Sequence, residues 1–451
     1  MKTNANIIVT SAMLLAGSIA GANVFDFGEA PPEWESAKGQ TELGTSIMNY
    51  APEPLREGKV LFNSRLRYEF ADQEGLENAN AFTLRTRVGY ETPKYHGFYG
   101  VAEFENTWAI NYSDYRAFPI AQFPAAKTVI ADPRNNQVNQ LFAAFKAYNS
   151  EIKGGRQVIN LDNQRFVGAV AWRQNDQTFD AVRFTTEIIE DTWISYAWDW
   201  RVNRIFGEYA PYANPATGNN NLERFKANNH FVNLHYKGIP YGTAGAYFYY
   251  LDLDQAAALS GSTAGFYFDG KVPVADDWSI PFRAEYAFQT NNPGTFGGPN
   301  NDFFLNYIHA ILGVNYTGKY ELGFGFESLG GNSTRAFQTP LATLHKFNGW
   351  ADVFLTTPVT PDGSGLRDFY VYFKAALPFE FAAFGEYHYF TAENTTRTYG
   401  QEVDVGIKRK ITDNVSALAK FAYYDGNGGP PAFGGFGLDR TKFWVQVDFK
   451  L

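Results

Sequence analysis

The feature that most constrains this chain is a two-residue alternation of apolar and polar side chains that runs from residue 60 to the C-terminus. Val60–Phe70 places Phe62, Leu66, Tyr68 and Phe70 on one face and Asn63, Arg65, Arg67 and Glu69 on the other. Ala81–Tyr90 sets Phe82, Leu84, Val88 and Tyr90 against Thr83, Arg85 and Arg87. Phe443, Val445, Val447, Phe449 and Leu451 alternate in the same way with Trp444, Gln446, Asp448 and Lys450. This period belongs to strands with two unlike faces. Segments of this kind start near residues 60, 80, 98, 139, 151, 179, 192, 228, 242, 263, 278, 304, 319, 366, 379, 399, 414 and 439, which predicts 18 strands, with 16 as the alternative. Short connections such as Asn149-Ser150, Gly238–Tyr241 and Thr412-Asp413 alternate with long ones such as 108–138, 160–178, 330–365 and 426–438. A soluble sandwich has no reason to alternate so. A transmembrane antiparallel up-and-down β-barrel does, with tight periplasmic turns and large external loops. The fold class expected is therefore all-β.

Composition supports this and removes other classes. The 41 Phe, 28 Tyr and 9 Trp are too many rings for a disordered chain. A net charge of −9 excludes the basic face that nucleic-acid binding needs. The absence of cysteine removes disulfides, thiolate metal sites and cysteine nucleophiles. Met1-Lys2, the apolar run Ile7–Ala16 and the small residues ending at Ala20-Gly21-Ala22 form a secretory signal, with cleavage expected after Ala22. The expected organisation is a signal peptide (1–22), a periplasmic segment (23–59) and the barrel (60–451), in the outer membrane of a Gram-negative bacterium. At this size a barrel wall does not fill its own lumen, so an aqueous channel is expected. Loops 108–138 and 330–365 are long enough to fold inward and narrow it.

Arg65-Leu66-Arg67-Tyr68-Glu69, the run Asn80–Thr92, the run Gly155–Gly168, His345–Asp352 and Leu366-Arg367-Asp368 together resemble the alginate export family of outer-membrane porins. The resemblance implies an 18-stranded barrel whose arginine-lined lumen conducts an acidic polysaccharide outward, with members that take up other solutes.

Two lumenal constellations follow from strand parity. Arg65, Arg67, Arg85 and Arg87 face inward from adjacent strands; a hairpin turn near residue 75 sets Arg65 beside Arg85 or Arg87. Guanidinium forks suit carboxylate ligands, so these residues read as an anion-selecting ladder. The plainer reading pairs them with Glu69, Glu103 and Glu105. Arg183 and Arg201 are expected to point inward as well, and Arg156 is grouped with them, beside a bulge expected at Gly154-Gly155. The second constellation is acidic: Glu386 and His388 share a face of one strand, and Glu402 and Asp404 a face of the next. A turn near 395 sets 388 beside 402 and 386 beside 404. A cation-attracting patch or a divalent-ion site is weighed against a solvated wall, which is preferred, so no metal centre and no cofactor are expected.

Six scattered histidines and the absence of G-x-S-x-G or H-E-x-x-H argue against an enzyme. The function expected is a porin passing solutes passively, with an anionic oligo- or polysaccharide such as alginate in view. The alternatives are a general diffusion porin of weak ion preference, or an adhesion barrel whose external loops bind partners. The surrounding partners are outer-membrane lipid and lipopolysaccharide.

Overall fold

In the computed structural model, which describes residues 42–118, 126–210, 223–292, 294, 302–332, 334–360, 363–428 and 435–451, the alternating segments form one closed sheet. The signal-peptide run lies outside the described residues. The strands are β1 (Lys59–Gln73), β2 (Ala79–Glu91), β3 (Phe98–Ala109), β4 (Asn135–Ala147), β5 (Ser150–Gln157), β6 (Thr178–Thr186), β7 (Thr192–Asn203), β8 (Arg224–Tyr236), β9 (Gly242–Leu251) and β10 (Gly261–Ala275). They continue as β11 (Trp278–Thr290), β12 (Phe304–Tyr316), β13 (Tyr320–Leu329), the small external ladder β14 (Val359–Thr360) and β15 (Gly363–Ser364), then β16 (Leu366–Leu377), β17 (Phe381–Thr391), β18 (Thr398–Lys410), β19 (Val415–Gly426) and β20 (Arg440–Lys450). Eighteen of them pair antiparallel with their neighbours, and β1 closes on β20 from Asn63↔Lys450 to Gln73↔Arg440. Closure leaves no unpaired edge, so the wall strands pair with one another and not with water, which a bilayer demands. No helix among the described residues is long and apolar enough to cross a membrane.

The alternation separates two environments. On β20, Val445 and Val447 are exposed on the outer face while Trp444 and Gln446 are buried inside. On β1, Leu66 lies outside, and Arg65, Arg67 and Glu69 lie inside. Tight turns close the end that carries both termini. Tyr148 and Asn149 both take positive φ (50° and 55°), the conformation that lets a two-residue hairpin follow the strand twist. Phe98, Phe145, Tyr241, Trp278, Tyr316 and Phe379 stand exposed at this end as an aromatic girdle.

The lumen is not empty. The segments 158–177 (between β6 and the preceding strand) and 330–365 (between β13 and β16) turn inward and meet. Val167 bridges Leu341 in parallel, the Gly168 N–H donates to the Leu341 carbonyl at 2.9 Å, and the Thr343 hydroxyl donates to Gln164 Oε1 at 2.8 Å. Their apolar side chains Phe166, Trp172, Phe337, Trp350 and Phe354 pack on wall residues Tyr249, Tyr307, Phe390, Tyr424 and Trp444 to make a core inside the barrel. Of the two loops expected to fold inward, 330–365 does so. The first external loop instead packs Tyr115, Phe118 and Ile130 over the alanines Ala71, Ala79, Ala81 and Ala109 at the external end, and reaches the inward segment through Asp132 and the Pro133 carbonyl. Segment 158–177 takes the second inward position.

Candidate functional site: the arginine wall and the inward loops

The β1–β2 register is fixed by a five-residue connection and places Arg65 opposite Arg85, Asn63 opposite Arg87, and Arg67 opposite Thr83. Four guanidiniums thus share one patch of wall, and each binds a different group. Arg65 donates through Nε to Asp448 (2.8 Å) and through Nη1 to the Ala171 (3.0 Å) and Trp172 (3.2 Å) carbonyls. Arg67 donates to Gln446 Oε1 (2.9 and 2.5 Å), lies 3.6 Å from Asp132 and stacks 4.2 Å over the Trp172 ring. Arg87 sits between Glu105 (2.5 Å) and Asp176 (2.6 Å). Arg85 donates to Asn63 Oδ1 through Nη2, while its Nε and Nη1 have no hydrogen-bond partner among the described residues. The carboxylates expected as partners are divided: Glu105 takes Arg87, Glu69 takes Arg173 of the inward segment, and Glu103 accepts from Asn139 and Gln140. Much of the arginine wall therefore holds the inward segment.

Three further anchors fix the two loops. Arg165 grips Glu327 with two N–H groups (2.7 and 3.3 Å) and also donates to Thr339 and Asn348. Asp162 accepts from Asn233, Tyr249 and Tyr267 and lies 2.6 Å from His235 Nε2. Asp352 is the third. Arg173 (2.7 Å), Lys442 (2.5 Å) and His345 (2.8 Å) all converge on it. Burial works against its ionisation, but Lys442, His345 and Arg173 outweigh burial and hold the carboxyl well below the ordinary value. Burial, reinforced by Lys420, holds the His345 imidazole well below its ordinary value. A neutral ring fits its contacts: Nδ1–H donates to Asp352, and Nε2 accepts from Lys420 Nζ at 2.9 Å. That ring stacks on Trp172 at 4.3 Å and 5°, so the two inward segments also meet face to face.

The arginine patch opens on a cavity of about 370 Å³ at the end of the barrel that carries the short turns. Its lining carries Arg65, Arg85, Arg87, Lys408, Lys410 and Lys450 against Asp176, Asp413 and Asp448, an excess of three positive charges. In a narrow, low-dielectric space such an excess dominates the local field over distant surface charge.

The other expected arginines divide. Arg183 lies between outward Val182 and Phe184, is buried inside and donates to Ser195 Oγ at 3.3 Å. Arg156 and Arg201 do not line the lumen. Arg156 is in register with exposed Leu141 and with Asp180, and it donates to the Val138 carbonyl and to Asp180 (2.7 Å). Arg201 also pairs with Asp180 (3.5 Å) and stands opposite exposed Lys226. Arg156 stands four residues after exposed Ile152 on an unbroken β5 ladder and so shares its outer face. For Arg201 the reason is a bulge, because the pairs Ala181↔Asp199 and Asp180↔Arg201 leave Trp200 unmatched. One extra residue reverses the facing of everything beyond it. Both arginines thus sit on the outer face at the external end.

In the acidic constellation the register is Glu386↔Asp404 and His388↔Glu402. Glu402 and Asp404 are buried, and the inward loop caps them: the Ala351 N–H donates to Glu402 (2.6 Å) and the Trp350 N–H to Asp404 (3.0 Å). This is not a solvated wall. It is a docking surface for the turn at Gly349, whose φ of +85° and contact with the Glu402 carboxylate leave no room for a Cβ. Sequence reasoning missed Arg165, Arg173, Glu327, Asp352 and Lys442. Arg165 lies within the Gly155–Gly168 run and Asp352 ends the His345–Asp352 run, so both were visible as motif residues without a role.

Comparison with solved structures gives the same architecture. Acinetobacter baumannii OccAB2 superposes with a TM-score of 0.67 at 12% identity, covering 89% of this chain and 100% of that one. Pseudomonas aeruginosa OccK1 (OpdK) gives 0.65 at 13%, covering 88% and 99%. The structure of P. aeruginosa OpdK with vanillate gives 0.64 at 13%, also covering 88% and 99%. At such identities the likeness concerns the fold. No curated protein matches the chain in sequence. The alginate export family model matches residues 62–290, more than half of the chain and all of the arginine wall. Family and fold are those of outer-membrane channels and not of enzymes. The chain belongs to the alginate export family of Gram-negative outer-membrane β-barrel porins.

Proposed function

We propose that this porin selects anionic, carboxylate-bearing solutes, uronate oligosaccharides among them, and that Arg65, Arg85 and Arg87 with Lys408, Lys410 and Lys450 make the selection. The observation that carries the reading is the excess of three positive charges around the cavity, with two unsatisfied N–H edges of Arg85 beside it. A carboxylate supplies the two acceptor oxygens to which a guanidinium fork donates. Replacing Arg85 by Ser lowers the anion/cation permeability ratio in a planar bilayer with a salt gradient, and Arg85→Lys gives an intermediate value because it keeps charge but loses the fork. An unchanged ratio in Arg85→Ser overturns the reading and leaves a general diffusion porin.

A narrower reading favours small carboxylates over polymers. It rests on the inward segment 158–177, which with the arginine wall lines a cavity of about 370 Å³. Vanillate, with which OpdK was solved, is a carboxylate of that scale. Block of ion current by vanillate but not by polyuronate supports small solutes, and the reverse supports a saccharide chain. On the outer face, Arg156, Arg201 and Lys226 support contact with lipopolysaccharide phosphates. We further assign residues 1–22 to a secretory signal, 23–59 to a periplasmic segment and 60–451 to the barrel; N-terminal sequencing of the outer-membrane form reads from Asn23 if the assignment holds.

A further inference from the structure

We propose that Glu386, His388 and Asp404 bind a divalent transition-metal ion of the zinc class, inside the barrel beneath the Gly349–Ala351 turn. Strand parity puts Glu386 and His388 on the lumenal face of β17, and the register sets Asp404 beside them on β18. One donor atom from each lies within 4.8 Å of the others. Donors around a single zinc ion at about 2.0–2.2 Å stand only slightly closer together, so a small contraction completes the set.

Histidine orientation is the first independent support. Asp368 holds the Nδ1 side of His388 at 2.9 Å, which turns Nε2 toward Glu386 (3.1 Å) and Asp404 (3.7 Å). A carboxylate fixing the remote nitrogen of a ligating imidazole is how metal sites orient their histidines. The second support is unmet bonding. Asp404 is fully buried; its Oδ2 accepts from Trp350, and its Oδ1 has no hydrogen-bond partner. Glu402 beside it is buried as well, with Oε1 held by Ala351, and its carboxyl is within side-chain hydrogen-bond reach of Asp404.

Charge gives the third. Asp368, Glu386, Glu402 and Asp404 bring four carboxylates to one imidazole, while Lys374 and Lys420 act on Glu386 from further off. Nearby Lys420 is bound to His345 and lies 3.7 Å from the Trp350 ring centroid, and Lys374 pairs with Glu321. Buried carboxylates in excess of their cationic partners are stabilised by a metal. One imidazole with carboxylate oxygens suits Zn²⁺ or Co²⁺ better than Ca²⁺ or Mg²⁺, which take oxygen cages. The Glu386 side chain is 29% exposed, so an ion reaches the site from the lumen and one coordination position faces water. The inference is independent of the solute the channel carries.

The test uses the full-length barrel in detergent, without an affinity tag and stripped with chelator. Titration with Co²⁺ produces visible d–d absorption that saturates at one equivalent and is erased by Zn²⁺. His388→Ala weakens Co²⁺ binding at least tenfold. Asp368→Asn, which removes a positioning residue, weakens it about 10–100-fold. His230→Ala, an outward histidine bonded to Tyr196, leaves it unchanged. Should His388→Ala fail to fold, protection of His388 from carbethoxylation by Zn²⁺ in the native chain, read by mass spectrometry, serves in its place. Absence of saturable Co²⁺ or Zn²⁺ binding, binding indifferent to His388→Ala, equal carbethoxylation with and without Zn²⁺, or binding of Ca²⁺ in preference to Co²⁺ each overturns the proposal.

Discussion

Single side chains decide whether the inward loops stay docked. Arg165 and Glu327 are both buried, and Tyr307 and Asn348 also donate to Glu327. Arg165→Ala leaves that carboxylate without its cation, which costs about 3–5 kcal/mol for a buried pair broken on one side. The wall strands are held by their own ladders, so the expected outcome is release of segment 158–177, read as higher and noisier single-channel current with heat-modifiable gel migration retained. Asp352 adds a pH signature. Its carboxyl is held well below the ordinary value, so its ionised form stabilises docking at every pH above about 3.9. That contribution is lost as pH falls through the lowered value. Conductance therefore stays level from neutral pH down to about 4 and rises below it, whereas Asp352→Asn conducts more already at neutral pH.

At the scale of the strand, parity is the controlling variable. Val447 is 41% exposed on the outer face. Val447→Arg places a charge against lipid at a cost of about 2–4 kcal/mol near the midplane and should abolish assembly into heat-modifiable barrels. Ser416 lines the cavity opposite Asp448, so Ser416→Arg assembles normally. Gln446, although lumenal and expected to face water, is not an equivalent control. It accepts both N–H groups of Arg67, and an arginine there sets one guanidinium against another. Strand starts agreed with the alternation to within four residues because wall residues meet only two environments. The bulge at Trp200 was not legible: it depends on how β7 meets β6 and β8, and neither partner is visible in the local pattern.

For the whole molecule, the barrel supplies a rigid wall and the inward segments supply the constriction. Replacing residues 161–176 by a short Gly-Ser connection should raise single-channel conductance severalfold while leaving the β-rich circular dichroism spectrum unchanged, because the segment contributes no strand to the wall. An unchanged conductance would mean that 330–365 alone sets the aperture. In the same deletion Arg65 loses the Ala171 and Trp172 carbonyls and Arg87 loses Asp176, so anion preference should rise along with conductance.

Legible in the sequence alone were a barrel of 18 or 16 strands, the lipid face of most strands, Arg65 beside Arg85 or Arg87, and Glu386 beside Asp404. Each follows from local rules: alternation with period two, and a short turn that locks register. Only the tertiary structure decided which external segments enter the lumen, that the arginine wall binds loop carbonyls as well as facing the cavity, and that Arg156 and Arg201 lie outside. The first two outcomes rest on contacts between residues well over a hundred positions apart, such as Arg65 with Asp448 and Arg165 with Glu327. A periodic pattern specifies the face of each strand, but the partner of a buried charge is chosen only when the closed wall brings distant segments together.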